Sequence, residues 1–423
     1  MNILIIGSGG REHAMAMALF NSPSKNRLFA LPGNPGISEY CECINIDPSN
    51  FREIKNFSKN NNIDLVIVGP EVPICEGIAD YLNEYKIDVF APSLEASKLE
   101  SSKKFTKEIA FENNIPTGEA KWFDNYADAC LYLDKLEAPY VIKADGLAAG
   151  KGVAICEDLN GAKNSLEDVF NGKFGSGQSV LIEEFLHGEE LSYFAITDGK
   201  EILPLIGAQD HKRLLDKDEG PNTGGMGAYC PPPMLSTELE NKIMKQILEP
   251  TIYGLRKRGI EYKGVLFAGL MVKENQPSLI EYNIRFGDPE TQALLMLMKS
   301  DFAELLFETV NGNIDNYNLE WEKKKAITVV LANDGYPSQY NKNAEIYGIE
   351  DAEKNPNVKV FHAGTSIIDG SLIATGGRVL NVTSIADTLE LAREHAYSAI
   401  EKISYKGKIY RNDIAWRALS KIT

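Results

Sequence analysis

Glu281-Tyr282-Asn283-Ile284-Arg285-Phe286-Gly287-Asp288-Pro289-Glu290 is the stretch that says most about the fold and chemistry of this chain. It follows directly on an apolar strand pattern at residues 277–281. Because side chains alternate along a strand, Glu281, Asn283 and Arg285 are expected on one face. A carboxylate beside an amide oxygen suits Mg²⁺, and a guanidinium suits a carboxylate or a phosphate. The alternative is a strand end that carries only surface ion pairs, and the rest of the chain argues against it.

Length and composition describe an ordinary globular protein. The 423 residues suggest two to four domains, with 43% apolar and 25% charged residues. The net charge of −16 argues against a general nucleic-acid binder, whose surface would be basic. Six scattered cysteines without a CxxC pair predict neither a disulfide framework nor a zinc site. With no signal-type segment and no apolar run of about 18 residues, we expect a cytoplasmic protein without a membrane partner.

Strand and helix patterns alternate over the first hundred residues. An apolar run at residues 2–6 leads into a glycine-rich turn and a helical pattern at 11–20, and residues 63–69 repeat the strand pattern. Such alternation predicts a parallel sheet covered by helices, with ligands at the carboxyl ends of its strands. The segments Gly7-Ser-Gly-Gly-Arg-Glu-His13 and Gly69-Pro-Glu71 lie at such ends.

The rest of the chain divides into three further sections. A helical pattern at 102–113 precedes a smaller unit at about 117–188, which contains a glycine-rich loop at 144–152. The next section includes a long Gly/Pro segment at 207–233, which we expect to be a functional loop. The tail from about 324 has shorter strand patterns followed by a helical one.

The glycine-rich turn after the first strand is not a dinucleotide fingerprint. Gly7 and Gly9 match its first two positions, but Glu12 stands where the third glycine is needed, and its charge would oppose a pyrophosphate. The loop can still present backbone N–H groups at a helix N-terminus beside Arg11, which suits one phosphate monoester. A plain tight turn is the simpler alternative.

The glycine-rich loop resembles a P-loop but differs from it in two ways. Three residues rather than four separate Gly146 from Gly150, and Gly152 replaces the Ser or Thr that would hold Mg²⁺. A P-loop NTPase is therefore not expected. The segment still places Lys143 and Lys151 where they could contact nucleotide phosphates. A lone lysine in an apolar strand usually has a partner.

Two other segments carry charge in a suggestive pattern. The segment 180–186 ends a strand and runs toward Glu190, so it could give its backbone to adenine and a carboxylate to ribose hydroxyls; acidic strand ends are also often merely solvated. Residues 209–213 place three basic side chains next to Asp210, which suits an anionic or zwitterionic substrate. A solvated charged face is the alternative there.

Together these segments resemble the ATP-grasp ligases, and among them the phosphoribosylamine–glycine ligase family. The resemblance covers essentially the whole chain. It rests on six motifs, which are Gly9-Gly-Arg-Glu-His-Ala14, Val68-Gly-Pro-Glu71, Lys143-Ala-Asp-Gly-Leu-Ala-Ala-Gly-Lys-Gly152, Gln209-Asp-His-Lys-Arg213, Gly220-Pro-Asn-Thr-Gly-Gly-Met-Gly-Ala228 and Arg285-Phe-Gly-Asp-Pro-Glu-Thr-Gln292.

The resemblance implies an α/β protein with the ATP-grasp fold. We expect an N-terminal parallel-sheet domain at 1–101 that binds substrate, an ATP-grasp domain at 102–320 and a C-terminal α+β domain at 321–423. The ATP-grasp domain would include a small lid at 117–188. That lid is expected to close over ATP and exclude water.

The resemblance also implies the reaction. ATP would phosphorylate the glycine carboxylate, and the amine of 5-phosphoribosylamine would attack the resulting acyl phosphate to give glycinamide ribonucleotide, ADP and phosphate. This is the second step of purine synthesis. ATP with Mg²⁺ or Mn²⁺ is the expected cofactor set, the partners are the small-molecule substrates, and a cytoplasmic monomer is expected.

Individual roles follow from the same resemblance. Glu281 and Asn283 would hold the metal, and Arg285 the carboxylate of glycine or its acyl phosphate. Asp210 and Lys212 would lie near the reacting groups. The nucleotide would contact Lys104, Lys143, Glu183, Glu184, Leu186 and Glu190. The phosphoribosylamine pocket would contain Gly9, Gly10, Arg11, Glu12, Glu71 and Asn222.

Two rival functions remain open at this stage. One is another ATP-grasp enzyme of purine synthesis that acts on a different carboxylate or on bicarbonate, which the 9–13 and 209–213 motifs argue against. ADP release on adding glycine would separate the two. The other is a non-catalytic nucleotide-binding regulator, which would bind ATP tightly without turnover. The chain has Glu281, Asn283, Lys143 and Arg285 together, and the presence of all four argues against that alternative.

Overall fold

The structure is a computed structural model that describes residues 1–146, 152–173 and 179–420. Residues 147–151 of the glycine-rich loop, including Lys151, lie outside the described residues. Within the described ranges, no helix is both long enough and apolar enough to cross a membrane.

Residues 1–101 alternate strands and helices, as the sequence pattern predicts. The elements are β1 (Asn2–Gly7), α1 (Gly10–Phe20), β2 (Arg27–Pro32), β3 (Glu42–Cys43), α2 (Phe51–Asn60), β4 (Leu65–Val68), α3 (Glu71–Cys75), α4 (Ile78–Asn83), β5 (Val89–Phe90) and α5 (Lys98–Ser101). The strands form one parallel sheet in the order β3-β2-β1-β4-β5. Leu4 and Ile6 of β1 pack in one core cluster, and Ile3 and Ile5 pack in another. The central strand is therefore buried on both faces, as parallel sheets require.

Residues 102–183 form a helix followed by a small sheet. The elements are α6 (Lys103–Glu112), β6 (Ala120–Phe123), α7 (Tyr126–Leu133), β7 (Tyr140–Ala144), β8 (Val153–Cys156), α8 (Leu159–Phe170) and β9 (Val180–Glu183). The strands pair in antiparallel fashion in the order β6-β9-β7-β8. α7 and α8 contribute Ala129, Leu133, Ala162 and Leu166 to a core cluster whose described members all lie between Phe123 and Ile182.

Residues 189–311 contain a second antiparallel sheet and several helices. The elements are β10 (Glu189–Thr197), β11 (Ile202–Pro204), β12 (Gln209–Asp210), β13 (Arg213–Leu215), β14 (Glu219–Asn222), β15 (Gly227–Cys230), α9 (Thr237–Ile243), α10 (Glu249–Lys257), β16 (Gly264–Lys273), β17 (Gln276–Asn283), α11 (Glu290–Leu297) and α12 (Phe302–Asn311). The sheet has the order β11-β10-β16-β17. A single π-helical segment, Met244–Leu248, joins α9 to α10.

The segment 207–233 differs from the loop that its glycines and prolines suggested. β13 and β14 form a hairpin within it, and β12 and β15 pair with each other. β15 also pairs with the long strand that begins at Lys325. Partners distant in sequence supply the backbone hydrogen bonds of these short strands, so local composition gave no sign of them.

The C-terminal region completes a large antiparallel sheet. Its elements are β18 (Lys325–Asn333), β19 (Ala344–Glu345), α13 (Ile349–Ala352), β20 (Val358–His362), β21 (Thr365–Ile368), β22 (Ser371–Ala374), β23 (Arg378–Ala386), α14 (Leu389–Ile400), β24 (Lys408–Ile409) and α15 (Trp416–Leu419). The sheet order is β12-β15-β18-β23-β20, and β24 also pairs with β18. Because β12 and β15 come from residues 209–230, strands from two of the expected domains share one sheet.

Candidate active site

The polar residues of the opening stretch share one face of β17 and of the turn that follows it. Tyr282 is 2% exposed and Ile284 is 1% exposed, and both pack in the core. Glu281, Asn283 and Arg285 are only partly buried. The alternation predicted from the sequence is therefore present. The pairing of β17 with β16 fixes the direction in which the polar groups point.

Four cations surround the Glu281 carboxylate. Burial opposes ionisation of this group, but Lys212, Lys143, Lys103 and Arg285 outweigh it and hold the pKa of Glu281 below its ordinary value. The side chain is therefore a carboxylate at neutral pH. So many cations around one carboxylate suit the charge of nucleotide phosphates that share a metal ion with it.

Glu281 and Asn283 have the donor atoms of a hard-metal site. Their side-chain oxygens accept no hydrogen bond from any described residue. Across the same described ranges, no group of three His, Cys, Asp or Glu side chains could hold a metal ion without other ligands. Two free protein oxygens fit Mg²⁺ or Mn²⁺ when phosphates and water supply the remaining ligands.

The structure brings Lys103, and not Lys104, to this cluster. Lys104 is exposed on α6 and makes no hydrogen bond or ion pair with any described residue. Lys103 is one of the cations that lower the pKa of Glu281, and its Nζ donates to the carbonyl of Gly146 at 3.3 Å. Its backbone N–H donates to the Asp145 carboxylate at 2.7 Å. Lys103 is therefore held near Glu281, where the sequence had suggested its neighbour Lys104.

Lys143 has the buried partner that its apolar strand predicts. Its Nζ forms an ion pair with Glu183 on the adjacent strand β9, and both side chains are at most 6% exposed. Glu183 also pairs with Lys107 of α6 at 2.5 Å. Lys107 donates further hydrogen bonds to Thr117 Oγ1 at 2.7 Å and to the carbonyl of Gly118 at 2.8 Å. Glu183 carries one negative charge and Lys107 and Lys143 carry two positive charges. The three side chains together therefore have a net positive charge.

The chain after β9 leaves backbone groups free at the expected adenine position. The N–H of Glu184 donates to the carbonyl of Glu119 at 2.8 Å, and the Glu184 carboxylate accepts from the Glu119 N–H at 3.2 Å. Neither the Glu184 carbonyl nor the Leu186 N–H has a hydrogen-bond partner in the described part of the chain. One free acceptor and one free donor are what the amino group and ring nitrogen of adenine need.

Lys212, expected near the reacting groups, contacts Glu190, expected at the nucleotide. Lys212 pairs with Glu190 at 2.7 Å, and both side chains are about two-fifths exposed, so the pair can open toward a ligand. Asp210 lies beside them in β12. Burial raises the pKa of Asp210 to about 7, with Glu290 and Glu190 adding to the effect and Lys212 opposing it. A carboxyl group that titrates near neutrality is suited to proton transfer.

Arg285 is held between two carboxylates. Its Nε lies 3.0 Å from Glu71 of the N-terminal region, and its Nη2 lies 3.4 Å from Glu100. Burial opposes ionisation of Glu71, but Arg285 and Arg11 outweigh it and hold the pKa of Glu71 below its ordinary value. Burial raises the pKa of Glu100, although Arg285 opposes this. The guanidinium is thus oriented by the first hundred residues before any substrate is present.

The turn that precedes α1 has its two charged side chains beneath it. Glu12 is 2% exposed and accepts from the Gly9 N–H and from Arg11 Nε, both at 2.6 Å. Arg11 is 6% exposed and also donates to the Phe286 carbonyl at 3.0 Å. A Cβ at Gly69 would lie 1.9 Å from Glu12 Oε1, so Gly69 makes room for the carboxylate. Glu12 and Arg11 therefore shape the turn from below, and Gly9 and Gly10 form its backbone.

Asn222 lies at the end of the β13–β14 hairpin, on the exposed side of the site. It is opposite Arg213 in the hairpin. The next residue, Thr223, donates from its backbone and from its hydroxyl to the carbonyl of Lys212, at 2.8 Å in both cases. The hairpin therefore brings Asn222 next to the Lys212 backbone, and its side chain forms no hydrogen bond with the described residues.

Sequence reasoning missed three charged residues that the structure brings to the site. Lys103 and Lys107 are four residues apart on α6 and so share one helix face, while Lys104 points elsewhere. Ser102 caps this helix, and its hydroxyl accepts a hydrogen bond from the Phe105 N–H. Had that cap been identified from the sequence, the spacing would have predicted that Lys103 and Lys107 share a face. Glu100 gave no local signal, because its contact with Arg285 joins residues far apart in the chain.

Family models match nearly the whole chain in three consecutive segments. The model described as "Phosphoribosylglycinamide synthetase, N domain" matches residues 1–100, the ATP-grasp (A) domain model matches 101–291, and the C domain model matches 326–417. A phosphoribosylamine–glycine ligase of Rhizobium meliloti is 46% identical over 424 residues, covering 100% of both chains. The chloroplastic enzyme of that name from Arabidopsis thaliana is 47% identical, covering 97% of this chain and 79% of its own.

Solved structures agree with these matches. The crystal structure of phosphoribosylamine–glycine ligase from Thermotoga maritima superposes with a TM-score of 0.86 at 33% identity, covering 98% of this chain and 100% of that one. A biotin carboxylase domain from Hydrogenobacter thermophilus superposes with a TM-score of 0.73 at 15% identity, over 97% of this chain and 91% of that one, which supports the ATP-grasp fold alone. The chain belongs to the phosphoribosylamine–glycine ligase family, the ADP-forming carbon–nitrogen ligases of ATP-grasp fold.

Proposed function

We propose that this enzyme joins glycine to 5-phosphoribosylamine through a glycyl phosphate intermediate and releases ADP, phosphate and glycinamide ribonucleotide. The observation that carries the proposal is the Glu281 carboxylate, whose pKa four nearby cations hold below its ordinary value, two residues from the free oxygen of Asn283. Phosphoryl transfer to a carboxylate brings several negative charges together. A site that supplies fixed cations and metal-binding oxygens lowers the cost of doing so.

In the first step, the γ-phosphoryl group of ATP passes to a carboxylate oxygen of glycine. Lys103 and Lys143 would bind the phosphates, and the backbone at Glu184 and Leu186 would bind adenine. Arg285, held by Glu71 and Glu100, would bind the glycine carboxylate. Glu281 and Asn283 would hold Mg²⁺ or Mn²⁺, which when bound neutralises phosphate charge.

In the second step, the amine nitrogen of phosphoribosylamine attacks the acyl carbon. The N–C bond forms, the C–O bond to phosphate breaks, and the nitrogen loses a proton. Asp210, whose pKa burial raises to about 7, would accept that proton, and Lys212 would stabilise the departing phosphate. Gly9, Gly10 and Asn222 would line the phosphoribosylamine pocket, with Arg11 and Glu12 supporting the turn from below. We also propose that the enzyme acts as a monomer in the cytoplasm.

The direct test is ADP release in the presence of ATP and Mg²⁺, with glycine and phosphoribosylamine supplied together and then singly. Phosphoribosylamine can be formed in place from ribose 5-phosphate and ammonia. ADP release only with both substrates supports the ligase reaction and its substrate pair. Release with some other carboxylate, and none with glycine, would overturn the substrate assignment while leaving the fold class intact.

The two adjacent lysines of α6 give a matched pair of variants. Lys103→Met removes a cation next to Glu281, so we expect KM for ATP to rise by about tenfold to a hundredfold, the range for a lost charge-assisted contact. Lys104→Met removes an exposed cation, and we expect KM for ATP to change by less than about twofold. Steady-state ADP release over a range of ATP concentrations measures both. The opposite ranking would return the phosphate role to Lys104.

The pH profile tests Asp210. The ionised carboxylate is the form that accepts a proton, so kcat/KM for phosphoribosylamine should rise with pH through the pKa of about 7 to which burial raises Asp210. Asp210→Asn should reduce kcat by about a hundredfold or more, and its residual rate should lack that acidic limb. Product formation over a range of phosphoribosylamine concentrations, from about pH 5.5 to 9, measures both effects. If the rate of Asp210→Asn still rises with pH in the acidic range as in the wild-type protein, another group is responsible for that rise.

A further inference from the structure

Arg378, at the start of β23 in the C-terminal region, is anchored by only one of its guanidinium nitrogens. Nη1 donates to the carbonyls of Gly224 and Asp288, both at 2.8 Å, and lies 3.2 Å from Asp288 Oδ1. Nε and Nη2 have no hydrogen-bond or ion-pair partner among the described residues. The side chain is 23% exposed. The structure thus fixes a guanidinium in place and leaves its two-nitrogen edge unused.

The space beside that edge exists because residue 224 is a glycine. A Cβ built on Gly224 would lie 3.2 Å from Arg378 Cζ and 3.4 Å from Nη2. The loop that contains Gly224 is held on its other side, because its N–H donates to the hydroxyl of Tyr336 at 3.0 Å. A side chain at position 224 would therefore cover the guanidinium, and its absence keeps the guanidinium accessible.

The same guanidinium is linked to the glycine turn before α1. Asp288, which pairs with Arg378, also accepts from the Arg11 N–H through Oδ2 at 3.3 Å. A Cβ at Gly9 would lie 3.3 Å from that oxygen. Burial opposes ionisation of Asp288, but Arg378 and Arg11 outweigh it and hold its pKa below the ordinary value. One carboxylate thus joins the N-terminal turn to the C-terminal arginine.

This arrangement changes where a phosphate can bind. The Gly9 N–H already donates to Glu12, and the Arg11 N–H already donates to Asp288, so these two donors at the α1 N-terminus are engaged. Arg11 itself is buried beneath the turn. The Nε–Nη2 edge of Arg378 is an adjacent charged donor pair that remains free. Its planar geometry matches two oxygens of one phosphate.

We propose that Arg378 binds the phosphate group of the ribose phosphate substrate through Nε and Nη2, over the open backbone of Gly224. The proposal rests on the proposed function, since it assigns one group of phosphoribosylamine to one residue. The C-terminal region then completes the substrate pocket instead of only supporting the sheet. Because the guanidinium is held by the Asp288 and Gly224 carbonyls beforehand, little side-chain entropy is lost when the phosphate binds.

Arg378→Gln and Arg378→Lys test the proposal by steady-state kinetics with phosphoribosylamine, ATP and glycine varied in turn. Arg378→Gln should raise KM for phosphoribosylamine by about tenfold to a hundredfold and leave KM for ATP and glycine within about twofold. Arg378→Lys should fall between that variant and wild type, because an ammonium cannot make the paired contact. Tyr336→Phe is the matched control: it loosens the same Gly224 loop without changing the guanidinium and should keep the wild-type KM for phosphoribosylamine.

Labelling of the wild-type protein gives a second readout that does not depend on how the variants fold. Phenylglyoxal should modify Arg378, and ribose 5-phosphate should protect it in peptide mass spectra, while ATP should not. Protection by ATP and not by ribose 5-phosphate would overturn the assignment, as would an unchanged KM for phosphoribosylamine in Arg378→Gln. Ribose 5-phosphate protection in a wild-type protein that forms no glycinamide ribonucleotide would support the phosphate site and contradict the proposed function, so the two failures are distinguishable.

Discussion

Glu281→Gln should reduce the rate of ADP formation by about a thousandfold, the upper range for removing one electrostatic contact from a transition state. The substitution keeps the shape of the side chain but removes the negative charge that four cations surround. A neutral amide is a weaker ligand for Mg²⁺ than a carboxylate.

Two measurements separate this effect from a loss of folding. The variant should keep the thermal unfolding profile of the wild-type protein and should need a higher Mg²⁺ concentration for its residual activity. Glu274→Gln is the matched control, since Glu274 is an exposed carboxylate in the turn between β16 and β17, the same hairpin. We expect that control to keep wild-type rates. Wild-type turnover in Glu281→Gln would remove Glu281 from the metal role.

The sequence was sufficient for the parts of the fold that depend on local patterns. Strand alternation placed Glu281, Asn283 and Arg285 on one face, and the apolar runs near residues 2–6 and 63–69 correspond to the parallel strands β1 and β4. These features depend only on the local order of apolar and polar residues. They could be predicted because a strand or an amphipathic helix has the same period in any protein.

Features that depend on distant partners could not be read in the same way. The 207–233 segment looked like a loop because its strands find their partners around β18. The sequence did not show that the Glu12 carboxylate accepts a hydrogen bond from the Gly9 N–H. Lys104 differs from Lys103 only by the direction a helix gives each side chain. In these cases tertiary packing, and not residue type, decides which polar group points toward the candidate active site.

Lys107→Met should lower the free energy of unfolding of the 102–183 unit by about 3–5 kcal/mol, the cost of breaking a buried ion pair from one side. Lys107 donates to Glu183, Thr117 and Gly118, and its side chain is 4% exposed. Methionine fills much of the same volume but leaves three acceptors without that donor. Lys104→Met is the matched control on the same helix, and its exposed position predicts a change within about 0.5 kcal/mol.

Because the chain has several domains, the measurement needs a local probe. Trp122 lies in β6, opposite Leu181 of β9, two residues from Glu183. Urea unfolding followed by its fluorescence, with Trp321 and Trp416 replaced by Phe, reports on this unit. Equal unfolding midpoints for Lys107→Met and Lys104→Met would mean that the buried pair contributes nothing to stability.

The same variant connects stability to catalysis. In the wild-type protein, Glu183 forms ion pairs with both Lys107 and Lys143. If Lys143 binds the nucleotide phosphates as proposed, Glu183 keeps Lys107 as a partner when Lys143 moves. Without Lys107, moving Lys143 would leave a buried carboxylate unpaired, which is costly. We therefore expect Lys107→Met to raise KM for ATP even at temperatures where the unit is fully folded. A KM for ATP equal to wild type would show that Lys107 supports the fold and has no part in releasing Lys143.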